Sequence, residues 1–269
     1  MNHPLDDSYA KVARAKEQLA ELWQLIAAWD KEPLRVFLGE DLATGALLAK
    51  VPEVPALPSQ WSILVGEIAH NLRSALDYVV FQLADDAENG RTAFPIARSK
   101  RAYSKSRSKK KPSYRDQCLK GVPEKWARWI DRLQPFESPM PIERMKGLLI
   151  LNYLSNRDKH RVRLPVFTLI ELPFAILSVE DGEAVKDIEV RSLGRELHVK
   201  CQARRPARKT NRMVLLWEPK LPPDNSLGGT REFAFGRDRI KFQDLSLMAT
   251  YVRFIVGSFE PAFRPAALD

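Results

Sequence analysis

Six polar side chains interrupt two otherwise apolar helical patterns. His70, Arg73 and Asp77 fall at i, i+3 and i+7 within WSILVGEIAHNLRSALDYVVFQL, residues 61–83. That spacing places them along one stripe of a helix. Asn152, Asn156 and His160 fall at i, i+4 and i+8 and form a second stripe, with Lys159 and Arg161 at its edge. If the two stripes meet, the meeting point holds two imidazoles, a guanidinium, a carboxylate and two carboxamides. An imidazole titrating near neutrality takes or gives a proton, so His70 and His160 could share general base and general acid roles. Arg73 or Lys159 could stabilise a pentavalent phosphate, and Asp77 could orient a histidine or hold Arg73. Metal-independent RNA cleavage needs this much: a base for the 2′-hydroxyl, an acid for the leaving oxygen and a cation for the phosphate. The candidate catalytic set is therefore His70, Arg73, Asp77, Asn156, Lys159 and His160. The same set also reads as a purely structural network, because buried Arg–Asp pairs and Asn amides pin helices in register. No metal is expected, since Arg73 and Lys159 would repel a cation beside the histidines.

Several elements must position these groups. Apolar residues at helical spacing predict a helix over Ser8–Asp30 and a central helix from about Gln60 to Ala87, capped by Ser59 and ended at Asn89-Gly90. A short amphipathic helix is expected over Pro123–Leu133, with Trp126, Trp129 and Ile130 inward, and a second strong helix over Ile142–Lys159. Leu34–Gly39 and Ala46–Val51 read as a hairpin. From Val162 the period shortens to about two, giving five or six strands before an amphipathic helix over Leu245–Phe259. The expected class is α+β: an N-terminal helical bundle (1–161), then a small antiparallel β-sheet or barrel closed by a C-terminal helix (162–269).

The net charge of +9 is local. Nine Lys/Arg and no acid lie between Arg98 and Arg115, and five more between Arg204 and Arg212. Removing these fourteen from the 43 basic residues leaves 29 against 34 acidic ones. Two basic segments on a mildly acidic chain suit contact with a polyanion. The candidate nucleic-acid contacts are Arg98, Lys100, Arg101, Lys105, Arg107, Lys109, Lys110, Lys111, Arg204, Arg205, Arg208 and Lys209. The first segment, rich in Ser and Lys, reads as mobile and partly helical near its end.

No apolar run reaches the length of about 20 residues that a membrane helix needs, and the N-terminus has no apolar signal core, so a cytoplasmic protein is expected. Cys118 and Cys201 stand far apart and read as free thiols. There is no Gly-rich phosphate loop, GxSxG or HExxH, and no cofactor is expected.

His70-Asn71-Leu72-Arg73 with Asp77, and Asn156 with Lys159-His160-Arg161, resemble an uncharacterised bacterial family carrying HNLRxxLD and NxxKHR helix motifs. Phe94-Pro95-Ile96 and Gln134-Pro135-Phe136 look like further pieces of that pattern, which covers roughly residues 8–163. The resemblance implies no known activity. A fold-level similarity is to HEPN domains, helical bundles of bacterial toxins and phage-defence nucleases that act as homodimers. Their ribonuclease members place an Arg four to six residues before a His. Here positions 153–155, counted back from His160, hold Tyr, Leu and Ser. The similarity implies helical architecture and, with the basic segments, RNA or DNA as partner. The two functions expected are a nucleic-acid-associated protein, extending to a metal-independent ribonuclease of defence or toxin type, and a non-enzymatic helical protein that binds a small molecule or another protein.

Overall fold

The computed structural model describes residues 3–31, 57–84, 92–106, 112–137, 147–157 and 240–263, and gives only the backbone course of elements running beyond them. The chain divides into two compact units. One comprises Met1–Trp23, Ile63–Leu164 and Phe242–Asp269, the other Gln24–Ser62 and Pro165–Lys241.

The described fold is mostly helical, which corrects the α+β expectation. Of the described residues 74% are helical; they include one short strand, Ile240–Lys241, and no sheet or barrel. The physical reason lies in where the described apolar side chains go: their stripes recur at helical spacing and are buried in that register. The strands expected beyond Val162 and the hairpin near Gly39 fall outside the described residues. Only backbone course is given there, with antiparallel neighbours such as Val166–Leu172 and Ala175–Glu180.

In the first unit, helix α1 (Asp6–Trp29) begins with two acids that complement its dipole and buries Val12, Ala15, Leu19 and Leu22. Helix α2 (Ser59–Leu83) buries a broad face including Leu64, Ile68, Leu72, Leu76 and Val79. Three short helices follow: α3 (Lys100–Ser104), α4 (Tyr114–Cys118) and α5 (Glu124–Arg132). The basic segment expected to be mobile thus carries a helix on each side of residues 107–111, each capped by a serine hydroxyl accepting from a backbone N–H, Ser99 from Ala102 and Ser113 from Asp116. Gly121, at φ 79°, takes the left-handed conformation that lets the chain reverse between α4 and α5. Helix α6 (Ile142–Lys159) packs on α7 (Phe242–Gly257), where a β-carbon on Gly147 would sit 3.6 Å from the Met248 Cα.

Polar cross-links tie the helices together. The Asn71 carboxamide donates to Gln18 Oε1 at 2.9 Å and accepts from Lys11 at 3.3 Å, while Gln18 donates to Glu67 at 2.6 Å. Tyr9 donates to Glu260 at 2.6 Å, and the Trp129 indole donates to Ser258 at 3.0 Å. In the second unit the Trp29 and Trp61 rings meet edge to face at 5.9 Å.

Candidate functional site

Arg73 and Asp77 meet, as their i, i+4 spacing predicts. Arg73 donates from Nε to Asp77 Oδ2 at 3.1 Å, and its Nη2 lies 2.9 Å from Oδ1. The pair then turns to backbone rather than to a histidine. Arg73 Nη2 donates to the Phe94 carbonyl at 2.6 Å, and the Phe94 N–H donates to Asp77 Oδ1 at 2.8 Å. The ion pair thus offers Phe94 the donor and acceptor that a neighbouring strand would supply.

The whole segment 93–97 is held in this manner. Phe94, Pro95, Ile96 and Ala97 are buried outside any helix, so each backbone polar group needs a partner. The Ala93 N–H donates to the Cys118 carbonyl at 3.2 Å. Gln134, fully buried, donates from Nε2 to the Pro95 carbonyl at 2.7 Å and accepts from the Ala97 N–H at 3.2 Å. Arg73, Asp77, Phe94-Pro95-Ile96 and Gln134, quoted separately for the family resemblance, converge on one clamp. Sequence reading marked Gln134 only as part of a motif. Its signal was a carboxamide following an amphipathic helix, which has no helical reason to be buried.

A second network stands behind the clamp. Arg115 grips Asp131 with both arms, Nε to Oδ1 at 2.8 Å and Nη2 to Oδ2 at 3.0 Å. The Tyr103 hydroxyl donates to Asp131 Oδ1 at 2.7 Å. Burial, and then that hydrogen bond to a carboxylate, raise the Tyr103 pKa far above the ordinary phenol value. The bond to Asp131 raises the Arg115 pKa further. Burial likewise raises the pKa of Cys118, a free and buried thiol.

The clamped segment leads directly into the wall of an open cleft of about 1150 Å³. Arg98, Arg101 and Lys105 line it from one stretch, Tyr114 and Gln117 from α4, and Asn152 and Asn156 from α6. The Asn stripe of α6 therefore meets the basic segment. The described lining contains no carboxylate, and none of the three cations forms an ion pair with a described carboxylate. Lys100 points elsewhere, 3.7 Å from Glu137. Among the described residues the two asparagine carboxamides have one side-chain hydrogen bond, a long one from Asn156 Nδ2 to Asn152 Oδ1 at 3.4 Å.

His70 lies on the exposed side of α2, with Ile63, Glu67, Tyr78 and Phe81, while Arg73 is buried. The composite of His70 with His160 is not brought together within the described residues, because His160, like Arg107, Lys109, Lys110, Lys111, Arg204, Arg205, Arg208 and Lys209, lies outside them. Lys159 ends α6 without a described side chain. Among the described residues no group of three or more His, Cys, Asp or Glu could hold a metal ion, and no helix is long and apolar enough to cross a membrane. No family model, curated protein or solved structure matches the chain.

Proposed function

We propose that the protein binds nucleic acid through the cleft walled by residues 96–106, α4 and α6. One observation carries this reading: three cations without described acidic partners and three carboxamides, those of Gln117, Asn152 and Asn156, line a single open space that holds no described carboxylate. Phosphate binding needs such a concentration of unspent positive charge, and it gives salt-sensitive affinity through counterion release. The buried Gln134 and Arg73, with the half-buried Asp77, serve the same end indirectly, by fixing the backbone from which Arg98 and Arg101 project.

The geometry supports a structural role for the polar residues of α2 over a ribonuclease role. Arg73 and Asp77 spend their polar atoms on each other and on Phe94. Among the described residues, Arg73 and Asp77 are thus engaged with each other and with backbone, and Asp77 has no described histidine as its partner.

The test is equilibrium binding of a labelled oligonucleotide across a salt series. The wild-type log–log plot should fall steeply with salt. Arg98→Ala, Arg101→Ala and Lys105→Ala combined should flatten the slope by about 2, at roughly 0.7 per lost phosphate contact on a single strand. Binding with no salt dependence, or a triple variant with an unchanged slope, would sink the proposal.

A further inference from the structure

The cleft holds one aromatic wall among its polar groups. Tyr114 lines it and is 37% exposed. Burial raises the pKa of its phenol. A part-buried aromatic side chain in a cleft lining offers a ligand something to stack on, and it loses less rotamer freedom on doing so than a fully exposed one.

Resting on the nucleic-acid reading above, we propose that the cleft takes single-stranded nucleic acid, with Tyr114 as a base-stacking platform and Asn152 and Asn156 as groups that hydrogen-bond an exposed base edge. Three features favour this over a small anion or a duplex. At about 1150 Å³ and open to solvent, the space exceeds the usual size of a small-ligand pocket, so a chain passing through fits better than an enclosed phosphate. The cations come from one side of the sequence, residues 98–105, while the carboxamides come from α6. A backbone can follow the first while its bases reach the second. An aromatic face set within a cleft is usable by unstacked bases, whereas a duplex keeps its base faces hidden. Carboxamides offer a donor and an acceptor each, the pattern base edges present.

The experiment uses two labelled probes of equal length: an oligothymidylate, and an abasic oligomer carrying the same phosphates without bases. Anisotropy at low salt should show the oligothymidylate bound about tenfold tighter, the effect of one good stacking contact. Tyr114→Leu should erase that preference and leave the abasic affinity unchanged. Tyr114→Phe, which keeps the ring and serves as the folding control, should retain it. Equal affinity for the two probes, or a preference that survives Tyr114→Leu, overturns the stacking assignment while leaving the phosphate reading in place. If neither probe binds the folded protein, the phosphate reading falls with it.

Discussion

Gln134 and Pro95 are joined by a 2.7 Å hydrogen bond from a fully buried carboxamide to a prolyl carbonyl, and the same carboxamide accepts from Ala97 two residues on. One side chain after α5 thus closes a backbone ladder that Arg73 and Asp77 open at Phe94. Side chains of α2 and of the turn after α5 thus satisfy backbone groups of Phe94, Pro95 and Ala97.

Replacing Gln134 by Leu keeps most of the volume and removes both partners. The Pro95 carbonyl and the Ala97 N–H are then buried and unpaired, and urea unfolding should show a loss of about 2–4 kcal/mol. Affinity for oligonucleotides should fall as well, because Arg98 and Arg101 leave the clamped segment directly. An unchanged denaturation midpoint would show that the ladder is not stabilising.

Arg73 and Asp77 act as a unit toward Phe94, so their effects should not add. Arg73→Ala and Asp77→Ala should each destabilise by about 2 kcal/mol, and the double variant by clearly less than the sum. A double-mutant cycle read by thermal or urea unfolding measures this coupling. Strict additivity would mean that the two side chains hold the segment independently.

His70 lies on the exposed side of α2, and His70→Ala should leave stability within about 0.5 kcal/mol of wild type. A larger loss in a melting experiment would place the imidazole in a contact that its exposure argues against.

Tyr9 gives a sign for alkaline pH. Burial, followed by its hydrogen bond to Glu260, pushes its pKa up to about 12 from an ordinary value of 10.0. The unfolded chain therefore releases this proton first, and the unfolded state binds fewer protons between about pH 10 and pH 12. Stability from this group is fully present below pH 10 and is lost as pH rises toward 12. Tyr9→Phe should flatten that part of the alkaline stability profile, as measured by urea midpoints at successive pH values.

The helices were legible because their apolar spacing is a one-dimensional signal. The expected Ile142–Lys159 coincides with α6, whereas α2 takes Ser59 as its first residue and ends at Leu83, short of the expected Ala87. What sequence spacing could not show was the partner of each polar stripe. Periodicity assigns a residue to a helix face but carries no record of backbone groups elsewhere. Arg73 and Asp77 therefore looked as though they needed another helix's side chains, when their partner was the main chain of Phe94. The Asn stripe of α6 similarly found the basic segment, which its Ser- and Lys-rich composition had marked as loop. Arg115, counted among those loose cations, is held by Asp131, because an acidic residue 16 positions away was invisible to a local charge count. The fold class was misjudged from alternating residues beyond Val162, none of which belongs to the described helical part.

The bonds that seat Phe94, Ala97 and Pro95 span 21, 37 and 39 residues of chain. Contacts of that separation are made only after loop-closure entropy has been met, so they form late relative to the helices they join. During synthesis, the cations at 98, 101 and 105 emerge well before Gln134 exists to fix their supporting backbone. The seating of the cleft wall is thus timed to the completion of folding: a nascent or truncated chain ending short of Gln134 carries the charge of the basic segment but lacks the partner that seats it.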